Sequence, residues 1–207
     1  MDIGLEKLTG LVLEMASLSE KSVNTSIEAY SSGKNLTQEI HAWSGEIRQM
    51  QEEVSELSIE LIARYQPVAS DLRFIKSCME ISYGFSRFGR YAYDIAEVLE
   101  EFGDLIKCDH TTVDIVAKST REMMRMSIEA FTKRDVDLAR SISKLDDFVD
   151  EKYRENVGRI LKDQSIDVRC ALSATLILRY LERISDHSAY IGDCVLYIVS
   201  GTHNPRK

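Results

Sequence analysis

The chain has only two prolines, Pro67 and Pro205, and ten glycines among its 207 residues. So few breakers leave room for long uninterrupted helices. No stretch alternates apolar and polar residues long enough for a strand, and every long segment repeats near 3.6 residues. Basic tracts are missing too, and the net charge is −8. That excludes nucleic acid and argues against a generally anionic membrane surface as partners. No apolar run is long enough to span a bilayer. The segment from Met1 to Leu18 carries Asp2, Glu6 and Glu14 and lacks the basic start and apolar core of a signal peptide. The four cysteines, Cys78, Cys108, Cys170 and Cys194, form no C-x-x-C. They read as small buried residues of a protein in the reducing cytoplasm.

Catalytic signatures are equally sparse. There is no glycine-rich phosphate loop and no Ser or Cys in a nucleophile motif. None of His41, His110, His187 and His203 has a Glu three residues before it, as a ferritin-type di-iron site would need. The expectation is a protein that is not an enzyme.

What is present is amphipathic helix. Apolar stripes predict helices from about Gly4 to Tyr30, Thr37 to Tyr65, Pro67 to Phe102, Asp109 to Phe131, Val136 to Lys162, and through the stretch Gln164 to Ser200. Thr37 reads as an N-cap and Pro67 as a first helical residue. The tail from Gly201 to Lys207 reads as frayed. Six helices suggest a repeat. Laying Asp71-Leu72-Arg73 on Asp167-Val168-Arg169 also lays Ser77 on Ser173, Ile81 on Ile177, Arg87 on Arg183 and Ile95 on Ile191. The fold class is therefore all-α, two tandem antiparallel three-helix bundles, with residues 1–103 in the first and 104–207 in the second.

One constellation carries chemistry. Glu182 and Asp186 stand one turn apart on the sixth helix, and Asp146 and Asp150 one turn apart on the fifth. With about 1.5 Å of rise per residue from the turn near Gln164, Asp150 and Asp146 lie about 21 and 27 Å along one helix. Glu182 and Asp186 lie about 27 and 33 Å along the returning one. Antiparallel packing can therefore gather all four. Carboxylates so close must be protonated or share a cation. An all-oxygen set suits Mg²⁺, Ca²⁺ or Mn²⁺, and carboxylate-bridged iron as well. His187 points about 100° away from Asp186 on an ideal helix and is left out of the ligand set. The simpler alternative is a solvated acidic face.

Gln66-Pro67-Val68-Ala69-Ser70-Asp71-Leu72-Arg73, with Leu181-Glu182-Arg183-Ile184-Ser185-Asp186-His187 in the second half, closely resembles the PhoU family of phosphate-transport accessory regulators. The resemblance runs over nearly the whole chain, and the second motif matches the family's E-x-x-x-D signature. It implies two tandem three-helix bundles, each able to bind a metal cluster through acids on its second and third helices. It implies a cytoplasmic regulator of phosphate homeostasis that represses uptake and signalling by contacting phosphate transporter components and a sensor kinase. The candidate cofactor is a divalent or trivalent metal ion: iron, zinc, manganese or magnesium.

The sequence departs from that pattern in its first half. Ser86 and Arg90 stand where the third helix should carry E-x-x-x-D, and Gln51 and Ser55 where the second should carry its acids. Joint loss is expected of ligands that work only as a set. The expectation is one metal site, in the second bundle, formed by Asp146, Asp150, Glu182 and Asp186. Competing readings are a metal-sensing helical protein and a metal-free helical adaptor. Long amphipathic bundles often keep an exposed apolar face, so a homodimer is expected. Simpler roles are assigned to Asp71 near the helix dipole, Met123, Met124 and Met126 in packing, Trp43 in the core, and Glu52, Glu53, Glu56 and Glu60 on a solvated face. Tyr83, Tyr91 and Tyr93, with Phe85 and Phe88, read mostly as core or as the interface between bundles.

Overall fold

A computed structural model describes residues 1–163 and 165–202. These residues form six α-helices and no strand: α1 (Asp2–Ser32), α2 (Thr37–Tyr65), α3 (Ala69–Phe102), α4 (Thr111–Lys133), α5 (Val136–Lys162) and α6 (Val168–Ser200). They build two tandem three-helix bundles, α1–α3 and α4–α6. The third helices also pack on each other, and α1 touches α4. The spine of the molecule is therefore α3 against α6, with two helices added to each.

The burial pattern follows from that placement. Helix α5 has one covered face and buries Ala139, Ile142, Val149 and Asn156. Helices α3 and α6 are covered on several sides, and their buried residues recur nearly every second or third position. Phe85, Phe88, Ile95, Leu181, Ile184 and Ile191 are fully buried. Small residues set how near the spine helices come. A Cβ on Gly84 of α3 would lie 3.0 Å from Ile191 Cγ1 of α6, and one on Gly192 would lie 3.0 Å from the Ala139 carbonyl of α5.

Helix ends follow local chemistry. Asp135 accepts hydrogen bonds from the Asp137 and Leu138 amides, and Asp167 accepts one from the Cys170 amide, capping α5 and α6. Gly33 and Gly201 close α1 and α6 in the left-handed conformation. Met123 and Met124 are core, and Glu52, Glu53, Glu56 and Glu60 face solvent.

Several local expectations are corrected. Thr37 does not cap α2; its hydroxyl donates to the Ala96 carbonyl of α3 at 3.3 Å, and Asn35 Oδ1 accepts from its amide instead. Pro67 does not start α3. Gln66, disfavoured from right-handed helix by the proline after it, turns left-handed (φ 47°) and closes α2, so α3 begins at Ala69. Trp43 is half-buried and capped by the Lys21 ammonium, 4.0 Å from the ring centroid. Gln164, named in the turn before α6, and residues 203–207, read as frayed tail, lie outside the described residues.

The largest correction concerns cysteine. Cys108, in the segment between the bundles, and Cys170, in the first turn of α6, form a disulfide. Only Cys78 and Cys194 are free and buried. Sequence spacing could not show the pairing, because packing of α6 beside the 103–110 segment makes it. His110, stacked on Tyr30 at 4.5 Å, and the fully buried Leu105 fix that segment.

Candidate metal centre

The four acids of the second bundle fall on the facing sides of α5 and α6. Glu182 is buried, with 11% of its side chain exposed. Asp186 and Asp150 are half-buried at 35% each, and the Oδ1 atom of Asp146 is buried. Burial, followed by the charges of Asp186 and Asp150, drives the Glu182 carboxyl above its ordinary pKa. Asp150 is thus brought into the electrostatic neighbourhood of the α6 pair from across the helix interface.

Arginines of the same helices answer this charge. Arg179 Nη1 lies 2.6 Å from Glu182 Oε1, and Arg183 Nη1 lies 3.4 Å from Asp186 Oδ2. Arg154 Nη2 lies 2.8 Å from Asp150 Oδ2. Glu182 Oε2 is buried and accepts no hydrogen bond; Arg183 Nε lies 3.8 Å from it. Among the described residues, no three His, Cys, Asp or Glu side chains are close enough together to hold a metal ion as they stand. The donor set still fits a hard cation. It is all oxygen, is carried on two neighbouring helices, and includes one buried oxygen with unused lone pairs. A cation entering there would exchange with guanidinium groups that rotate on exposed side chains.

The corresponding face of the first bundle carries the opposite charge. Gln51, Ser86 and Arg90 line a cavity of about 350 Å³ together with His41, Arg48, Tyr83 and Arg87. Arg87 is the repeat partner of Arg183. Ser86 and Arg90 stand where Arg183 has Glu182 and Asp186; Arg87 Nη2 donates to Tyr91 Oη at 2.7 Å, and Asp94 acts on it at longer range. Arg90 pairs with Asp94 one turn on, at 2.8 Å. Burial holds Asp94 above its ordinary pKa, although Arg90 pulls the other way.

Sequence reasoning passed over Asp94, and read Arg90 as a missing ligand and Arg87 as a repeat match without joining them into a row. The signal was available: Arg90 and Asp94 are spaced i, i+4, and Arg87 and Arg90 share a face. The aromatic residues divide. Phe85 and Phe88 are core. Tyr91 stacks with Tyr180 of α6 at 6.2 Å and lies 6.1 Å from the His187 ring. Tyr83, 48% exposed, meets the edge of His187 at 5.9 Å. His187 therefore faces α3 at the junction between bundles.

Comparisons with known proteins agree with this two-part architecture. The family model described as PhoU domain matches twice, over residues 12–99 and 113–195. The phosphate-specific transport system accessory protein PhoU homolog of Pseudomonas putida is 31% identical, over 96% of this chain and 80% of its own length. The homolog from Clostridium acetobutylicum is 30% identical, over 95% of this chain and 93% of its own. The crystal structure of PhoU from Pseudomonas aeruginosa superposes with a TM-score of 0.89 at 31% identity, covering 97% of this chain and 99% of that one.

Proposed function

The chain belongs to the PhoU family, and from that premise we propose that it is an accessory regulator of phosphate uptake and phosphate signalling. It acts by protein contact, on phosphate transporter components and a sensor kinase, and is not an enzyme. The observation that carries the reading is the double family match, over both bundles, with relatives named as phosphate-specific transport accessory proteins. No helix among the described residues is long and apolar enough to cross a membrane. The proposed place of action is the cytoplasmic face of the transporter, and the proposed state is a homodimer.

In this reading Asp146, Asp150, Glu182 and Asp186 hold one metal centre, with iron, zinc, manganese or magnesium as the candidate ions. The ion would supply positive charge that relieves repulsion among the acids and ties α5 to α6. The chain's own part is to hold the acids in register. Arg154, Arg179 and Arg183 keep them neutralised until the ion arrives. The second reading, a metal-free adaptor, draws support from those same arginine pairs.

The test is phosphate uptake in a cell deprived of its own PhoU protein. Supplying this chain should lower labelled phosphate uptake and recover transporter components on a tagged copy. Unchanged uptake with no transporter recovered would reject the regulatory reading. Full regulation by a Glu182→Ala/Asp186→Ala variant would favour the metal-free adaptor.

A further inference from the structure

We propose that the cleft between α2 and α3 is a binding site for the phosphoryl group of a small molecule. The cleft occupies the place of the lost acid set, with Gln51, Ser86 and Arg90 in its wall. Three arginines line it, Arg48 from α2 and Arg87 and Arg90 from α3, with His41 and no acidic residue. This occurs in a chain of net charge −8, so the local sign runs against the molecule as a whole. Charge substitution alone would leave a patch; here it lines a concavity of about 350 Å³, within the range of small-molecule sites.

The chemistry of the lining selects the ligand. Guanidinium forks match the planar carboxylate and the tetrahedral phosphoryl group alike. Charge separates the two. Asp94 answers Arg90 at 2.8 Å and also acts on Arg87 at longer range, so one carboxylate faces three arginines. Arg87 spends one N–H on the Tyr91 hydroxyl and keeps the rest of its fork. Arg48 makes no ion pair or hydrogen bond among the described residues. Three arginines against the one carboxylate of Asp94 leave an excess of two positive charges, which suits a phosphoryl group of nearly two negative charges at neutral pH better than a single carboxylate.

The other groups at the cleft set its limits. The Ser86 hydroxyl donates to the Tyr83 carbonyl at 2.8 Å. That hydroxyl is no spare donor, and the arginines supply the charge that holds the anion. The rings of His41 and Tyr93, 4.7 Å apart, and of Tyr83 give the cleft aromatic walls. Space remains beyond an orthophosphate for the rest of a phosphorylated molecule. Gly45 also lines the cleft, and a Cβ there would enter open space.

The test is calorimetric titration of the full chain with orthophosphate and, separately, with ADP. EDTA is present throughout, so the acid cluster of the second bundle plays no part. Three variants are compared with wild type. Arg48→Glu and Arg90→Glu reverse charge on exposed side chains. Gly45→Phe fills the cavity without changing charge, and a helical circular dichroism spectrum verifies each fold. Arg140→Glu on α5 is the control. Wild type and the control should bind, and each of the three variants should weaken binding about tenfold or more. Binding of orthophosphate alone assigns the site to the free anion. Binding of ADP, with or without displacement by orthophosphate, assigns it to a phosphorylated molecule. No binding of either, or affinities that Arg48→Glu, Arg90→Glu and Gly45→Phe leave unchanged, overturns the proposal.

Discussion

The two bundles share one plan on their inner faces and differ in sign on an outer one. Ile81 and Ile177, Phe88 and Ile184, and Ile95 and Ile191 occupy matching buried places on α3 and α6. About half a turn away around each helix, Glu182 and Asp186 give way to Ser86 and Arg90. The core of a repeat is constrained by its neighbours' shape, because buried volume is felt to the methylene. An outer face is constrained only by what binds there. Ser86 and Arg90 lie outside the core, so the packing requires an acid at neither place. Arg87, the counterpart of Arg183, donates to a tyrosine hydroxyl instead.

If the inner faces are equivalent, matched truncations should cost alike. Phe88→Ala is expected to destabilise by about 3–5 kcal/mol and Ile184→Ala by about 2–5 kcal/mol, read from chemical denaturation. A cost below about 1 kcal/mol at one site would break the equivalence. The two halves next differ in covalent closure. The Cys108–Cys170 disulfide closes a loop of 62 residues' separation around the second bundle, and the first bundle has no counterpart among the described residues. Reduction is expected to lower stability by about 2–4 kcal/mol. Hydrogen exchange should show the loss in α4–α6 and leave α1–α3 protected; uniform loss would mean that the halves unfold as one unit.

The smallest effect concerns protonation. Glu182 has its pKa raised above the ordinary 4.5 by burial and then by Asp186. The folded chain therefore holds the extra proton between the unfolded and folded values. Stability falls as pH rises through that window, and the penalty is fully present above it. Without metal, Glu182→Gln should remove the penalty, at the cost of the Arg179 ion pair. The expected result is a Tm higher by about 2 °C at neutral pH and a flatter pH profile from acid to neutral. Ser86→Gln, in the matching place of the first bundle, should leave the profile unchanged.

The helices were legible in the sequence because the 3.6-residue stripe reports burial directly, and the repeat was legible in Arg87 over Arg183 and Ile95 over Ile191. Glu182 and Asp186 could be found from spacing alone. Their relation to Asp150 needed only the antiparallel geometry of α5 and α6. What spacing could not carry was contact between residues far apart in the chain. Cys108 and Cys170 meet only because α6 packs beside the inter-bundle segment. Thr37 gives its hydroxyl to Ala96 only because α2 lies along α3. The arginine cleft was hidden for another reason: Arg48, Arg87 and Arg90 each look like ordinary surface charge until α2 and α3 bring them around one cavity.

The central claim is that metal chemistry survives in one bundle alone. The direct measurement is elemental analysis of the purified chain after loading with manganese or iron and exhaustive dialysis, beside Glu182→Ala/Asp186→Ala and Ser86→Ala/Arg90→Ala variants. The account predicts metal bound at one centre per chain in wild type, lost in the first variant and kept in the second. Metal absent from wild type, or retained when Glu182 and Asp186 are removed, would contradict it.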